Sequence, residues 1–259
     1  MGNLNAIFAA LVLQWKETAK SLANLGYIFG FVPNVAVMAW VALRSNNPDV
    51  ISYMLVSVPL VGIWNGVVLR VGWSLEEEMW ARTMEFNLVS RTPLMLILLG
   101  KSLAQMLYSL PTGVFSLVTM FIVIRQMPSV YDIPSLVVSL ILIIISLIII
   151  SLLMAPIAVL AGGRGGFFNA INALGVLVSG FLYPVARLPA ALAAFARLIP
   201  SSWAMDGVWK SVSGYDSYWS ILGDWGVCIL ACAVWLFIIH LLFQGVERRI
   251  RIAGTLSTN

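Results

Sequence analysis

Few side chains in this chain can do chemistry, and most of them crowd into one stretch. Residues 74–93 read SLEEEMWARTMEFNLVSRTP and carry Glu76, Glu77, Glu78, Arg82, Glu85 and Arg91. Paired carboxylates serve acid–base catalysis when they converge on one reacting group. Glu76, Glu77 and Glu78 are consecutive and do not converge. Among them, Trp80, Met84, Leu88 and Val89 recur at three- and four-residue spacing, the pattern of a helix with one apolar side. Such a helix either solvates a loop and anchors it, or offers a soluble partner a place to push. The residues alone leave these two readings level.

The remaining motifs are weaker. Gly100-Lys101-Ser102 has the tail of a phosphate-binding loop, but the pattern needs a glycine where Met95 stands, and no strand precedes it. The chain therefore has no visible ATP site of its own. GGRGG at 162–166 also lacks a preceding strand and reads as a flexible turn. His240 is the single histidine. A proton relay needs acidic or histidine partners inside the bilayer, and the apolar runs hold no Asp or Glu at mid-depth. His240 is expected to be a hydrogen-bonded helix residue near the cytoplasmic interface. Cys228 and Cys232, one turn apart in an apolar run, are expected to be small buried side chains. No Ser/His/Asp triad or metal cluster appears. Asn34, Asn65, Asn169 and Asn172 lie at or near span depth. They either tie helices together or face a cargo path.

The elements that hold these residues follow from composition. Of 259 residues, 61% are hydrophobic and 10% charged, and the mean hydropathy is +0.96. Soluble domains carry about 25% charged residues, so this is an integral membrane protein. Runs such as LVVSLILIIISLIIISLLMAPIAVL at 136–160 are apolar on every face. That pattern suits helices and not the alternating strands of a barrel. The formal charge of +4 reflects Lys and Arg flanking the spans and not nucleic-acid binding. The N-terminus shows neither a signal peptide nor a convincing myristoylation signal.

We therefore expect an all-α membrane protein with six transmembrane helices, at 25–43, 50–73, 94–124, 135–160, 167–183 and 222–243. Residues 4–22 form an interfacial helix with Trp15 at headgroup level. Residues 74–93 form the charged cytoplasmic helix. Lys101, near the start of the third span, can snorkel to the interface, and Pro111 with Gly113 can kink that span. Residues 184–217, divided by Pro189 and Pro200 and opened by Pro184, hold two helical pieces too short to span. They read as a re-entrant hairpin, with Ser201 and Ser202 available to cap its second piece. Gly26-x-x-x-Gly30 and Gly62-x-x-x-Gly66 allow close helix contacts, within the chain or at a dimer seam.

Lys and Arg orient the chain. With both termini inside, ten of the 15 lie in the cytoplasm: Lys16, Lys20, Arg70, Arg82, Arg91, Lys101, Arg164, Arg248, Arg249 and Arg251. Arg44, Arg125, Arg187, Arg197 and Lys210 lie outside, as does the hairpin.

Three places resemble the ABC-2 family of permeases, the membrane half of type V ABC exporters. Trp15-Lys16-Glu17 in the first helix is similar to the family's connecting helix. Glu76-Glu77-Glu78, then Thr83 through Ser90, then Leu99-Gly100-Lys101, resembles the cytoplasmic segment that couples to the ATPase. Met84 stands where Leu is usual, and Pro93 falls two or three positions late. The most specific likeness is Ser179-Gly180-Phe181-Leu182-Tyr183-Pro184, Leu188-Pro189 and Ile199-Pro200 through Asp206-Gly207, which is similar to the exit of the fifth span. Ile199 replaces the usual Asn.

The resemblance implies a permease that pairs with a second permease, identical or related, above two cytoplasmic ABC ATPase subunits. ATP and Mg would sit on those partners, with no cofactor and no catalytic or metal residue on this chain. Coupling to the ATPase would fall to Glu76, Glu77, Glu78, Trp80, Arg82, Thr83, Glu85, Leu88 and Arg91, with Trp15, Lys16 and Glu17 on the interfacial helix. Pro184, Pro189, Pro200, Trp203 and Asp206 would belong to an extracellular lid. Location in the plasma membrane is implied, with outward transport of a hydrophobic drug, natural product or lipid-like cargo. A polysaccharide or glycolipid carrier is the alternative, although Trp40, Tyr53, Trp64, Trp73 and Tyr108 form no strip on which sugars would stack. A membrane-embedded lipid-modifying enzyme lacks the convergent acids or metal site it would need.

Overall fold

A computed structural model describes residues 3–20, 30–80, 92–161 and 165–253, and among them it holds helices and no strand. In chain order these are α1 (Asn3–Lys20), α2 (Val32–Arg44), α3 (Pro48–Trp64), α4 (Arg70–Trp80), α5 (Leu94–Ile124), α6 (Ile133–Ala161), α7 (Gly165–Val178), α8 (Ala190–Ala196), α9 (Pro200–Ser213) and α10 (Tyr218–Ala253). A π-helical turn, Asn65–Leu69, joins α3 to α4.

Local chemistry sets the boundaries. Asn47 caps α3: its side chain accepts from the backbone N–H of Asp49 at 3.0 Å and of Val50 at 3.4 Å. Pro48 occupies the first turn, where a missing N–H costs nothing. Arg125 ends α5 in a left-handed conformation, φ 56°. Pro111 lies inside α5 without breaking it.

Among the described residues, four helices are long and apolar enough to cross a bilayer: Pro48–Ser74, Leu94–Ile124, Ile133–Met154 and Tyr218–Gly245. At the positions of the first and fifth expected spans, α2 has 13 residues and α7 has 14. A span takes about 20 residues. Residues 25–29, including Gly26, lie outside the described residues, as do 162–164 with Arg164.

An apolar stretch of 18 residues within Pro48–Ser74 is 83% buried, and one within Tyr218–Gly245 only 22%. So α3 is the core of the bundle, and α10 is its outer wall. Around α3 stand α2, α5 and α9. Between membrane helices there is little hydrophobic drive, so close packing of small residues carries the contact. A Cβ on Gly66 would fall 2.4 Å from Ser109 Cβ, and one on Gly62 would fall 3.1 Å from Thr112 Cγ2. The Gly62–Gly66 spacing therefore seats α3 and its π turn on α5 of the same chain. A Cβ on Gly30 would meet nothing within 4 Å among the described residues.

Helix α1 lies along the first half of α5. A Cβ on Gly100 would come 2.4 Å from the Ile7 carbonyl oxygen, so the two backbones nearly touch. Gln14 and Gln105 both donate to Thr18 Oγ1, each at 3.2 Å. Lys101, one position on from Gly100, is buried at 5% exposed. At about 46 Å, α5 outruns the ~30 Å hydrocarbon layer, and α1 covers polar groups near its overhanging end.

The segment between α7 and α10 turns back into the bundle. Trp235, about 26 Å along α10 from its start, donates Nε1 to the Leu198 carbonyl at 2.8 Å. From there α9 climbs antiparallel to α10 and wedges against α6 and α3. Its inner side is small: Ser201, Ser202, Ala204, Gly207 and Ser211 are buried. Gly207 leaves room for Ser139 and the Trp225 indole, which bond to each other at 2.9 Å.

Candidate functional site

The helix that begins at Pro48 continues without a break to Trp80. Glu76, Glu77, Glu78 and Trp80 therefore stand on a direct extension of the most buried helix in the chain, and not on a separate one. The Glu77 side chain is exposed. Arg82, Thr83, Glu85, Leu88 and Arg91 lie outside the described residues. On α1, Trp15, Lys16 and Glu17 are exposed, and Trp15 meets Tyr108 edge-on at 5.8 Å.

Two of the four candidate asparagines come together. Asn172 on α7 donates Nδ2 to Asn65 Oδ1 at 2.7 Å and accepts from Trp64 Nε1 at 2.8 Å. This chain of bonds closes at the head of the π turn, and π turns are frequent at functional positions. A Cβ on Gly175 would meet the Trp64 ring at 2.5 Å, which shows how closely α7 covers the indole. Asn34 and Asn169 are exposed, on α2 and α7. Trp64 was not among the candidate polar residues. An indole beside Asn65 in an apolar run is a usable signal, because a buried N–H needs an acceptor.

The turn that leads back into the bundle begins where α7 stops. Gly180 has φ +84°, which an L side chain would adopt only under strain. The Tyr53 hydroxyl donates to its carbonyl. Phe181, fully buried, meets Trp64 edge-on with centroids 5.5 Å apart. Pro184 precedes a 3₁₀ turn at Val185–Arg187, Pro189 precedes α8, and Pro200 opens α9. Asp206 pairs with Arg197, whose guanidinium lies 4.3 Å over the Trp203 ring. The Trp203 indole returns a bond to the Arg197 carbonyl at 3.0 Å. Lys210 joins Asp224 of α10 at 2.7 Å. Arg197 was missed as a partner for Asp206. Opposite charges on two short pieces of one apolar hairpin were the available signal.

At the same end of the bundle, loop 125–132 is tied down at three places, one of them the Ser211 carbonyl, which accepts from the backbone N–H of Tyr131 at 2.9 Å and of Asp132 at 3.1 Å. Ser52 and Ser129 hydroxyls share a bond at 2.9 Å, and Tyr215 donates to Asp132 at 2.7 Å. The Ser135 and then the Tyr215 hydroxyl bonds hold the Asp132 carboxyl below its usual range, against a small opposing effect of burial. Further along α10, His240 bonds Gln244 at 2.9 Å, and Cys228 and Cys232 are buried.

A polytopic helical bundle with a hairpin folded back into it and a charged extension of its central helix defines a multi-pass membrane protein. The family model for ABC-2 family transporter proteins matches residues 7–241. The chain belongs to the ABC-2 family of transporter proteins, as the permease membrane domain of an ABC transporter. That membership implies work with ABC ATPase subunits in general. No curated protein matches the chain.

Proposed function

We propose that this chain is the permease subunit of an ATP-driven exporter, with ATP bound and hydrolysed on a separate cytoplasmic subunit. Both termini lie in the cytoplasm of the plasma membrane, and two permeases, identical or related, make the pathway. Six crossings complete the topology, with α2 and α7 as parts of the first and fifth. Residues 76–92 dock on the ATPase, where the apolar side anchors and the charges set register and steer the partner. The α8–α9 hairpin lies on the extracellular side as a lid. The cargo is a hydrophobic drug, natural product or lipid-like molecule.

One observation carries this reading beyond the family match. The acidic segment Glu76–Glu78 continues α3 through the π turn without a break in the helix, so force on it reaches the core without passing through a loop. Of the five aromatic residues considered for sugar stacking, Trp40 and Trp73 are exposed, but the two nearest the core are not free to stack. Tyr53 and Trp64 are buried and spend their rings on Trp209 and Phe181, so they offer no stacking surface.

The deciding experiment is a mild-detergent pull-down of the chain from its native membrane, with partners identified by mass. An associated ABC ATPase is the expected result. Recovery of the chain alone, under conditions that keep another ABC transporter intact, would reject the reading.

A further inference from the structure

The winding of the central helix changes at Asn65–Leu69. A π turn holds one residue more than an α turn, which offsets the helices on either side by about 100° and about 1.5 Å. Closing it would twist α4 against α3 by that amount. The turn is held at its head. Asn172 bonds both Trp64 and Asn65, at 2.8 and 2.7 Å, from a different helix. Gly66 lies on Ser109 and Gly175 on the Trp64 ring, so neither turn nor indole can shift without α5 and α7. On one side, Trp64 bears on Phe181 at the start of the turn that leads back into the bundle. On the other, α4 packs on α6 and runs to Trp80.

We propose that the π turn Asn65–Leu69 is a register switch and that Asn172 is its latch. A push on the Glu76–Trp80 end twists α4, opens the Asn65–Asn172 bond and, through Trp64 and Phe181, moves the turn that leads back into the bundle. Packed cores respond to small local shifts by changing between discrete arrangements, and a one-residue register change is such a step. Asn172 is a positioning residue, acting through its two neighbours. This inference rests on the permease reading above.

The test uses the complex purified with its ATPase. Asn65→Cys and Asn172→Cys are placed in a chain carrying Cys228→Ala and Cys232→Ala, and bridged with a short reducible bis-methanethiosulfonate. Bridging should lower ATP turnover by about fivefold or more, the low end of ordinary coupling between sites, and a thiol should restore it. Trapping with ATP and vanadate should lower the yield of bridging. Recovery by thiol separates a locked switch from a damaged fold. Turnover that ignores the bridge, with equal yield in the trapped state, overturns the latch. The single change Asn172→Leu is the second measurement. It should raise basal ATP turnover several-fold if the latch restrains the switch, and a natural rate overturns the proposal. If the natural chain purifies without an ATPase, the permease reading fails and the latch fails with it. An ATPase that stays bound and ignores both variants overturns the latch alone.

Discussion

Tyr53 donates its hydroxyl proton to the carbonyl of Gly180, 127 positions away, and both residues are buried. This bond joins the core helix α3 to the first residues of the turn that leads back into the bundle. Tyr53 also meets Trp209 of α9 edge-on at 5.4 Å. One side chain therefore holds both ends of the hairpin.

Removing that hydroxyl leaves a buried carbonyl without its donor, at a cost of about 1–3 kcal/mol. Tyr53→Phe is expected to lower the thermal midpoint in detergent while keeping the helix content. Gly180→Ala should cost more, because it adds backbone strain at φ +84° and a Cβ 2.9 Å from Val185 Cγ2. Equal midpoints for Tyr53→Phe and the natural chain would show that the bond contributes nothing.

The contact of α1 with α5 depends on one missing methyl group. Gly100→Ala places a Cβ against the Ile7 carbonyl, backbone against backbone, and α1 must lift. Gln14, 6% exposed, reports the movement. In a chain with the native cysteines replaced, Gln14→Cys is expected to resist a maleimide when Gly100 is present and to label readily with Gly100→Ala. Equal labelling rates would refute the close packing.

The Arg197–Asp206 pair is half-buried, with side chains 35% and 14% exposed. Breaking it should cost about 1–3 kcal/mol, between surface and fully buried ion pairs. Arg197→Ala and Asp206→Ala should each destabilise, and the double change should cost less than their sum. Additive losses in this cycle would mean that the charges do not interact.

Acid acts on loop 125–132 through Asp132. Its carboxyl is held below the usual range by the Ser135 and Tyr215 hydroxyls, so the stability it contributes is present above the unfolded value of about 3.9. That contribution disappears as pH falls through the lower folded value. Asp132→Asn should melt below the natural chain at pH 7, and the two curves should converge in acid. A gap that does not narrow as pH falls below the unfolded value would contradict the assignment.

Charge reversal on residues 76–92 tests their proposed docking on the ATPase. Glu77→Arg and Glu85→Arg should weaken capture of the ATPase and the hydrolysis it supports, by roughly tenfold for each like-charge contact created. Pro189→Ala in the hairpin should alter transport with the ATPase still bound. Undiminished capture by both reversed variants would remove residues 76–92 from the docking surface.

The sequence by itself determined the class of this protein. A chain this apolar cannot cover a water-facing surface, and each uniform run of that length must satisfy its backbone internally as a helix. The charged stretch and the hairpin prolines stand out for the same reason, because charges and broken backbone are costly in hydrocarbon. Tertiary structure decided which neighbours those groups met. The Gly62–Gly66 spacing was compatible with an internal contact or a dimer seam, and only the position of Ser109 and Thr112 resolved it. Asn65 and Asn172 are 107 positions apart, and no local pattern brings them to one point. Gly100 marked a possible close approach, but only the structure shows that the backbone it meets is that of Ile7 on α1. Helix length and burial are local sums, readable from composition and period. Partnership across the bundle depends on how the helices cross, which is a property of all the contacts together.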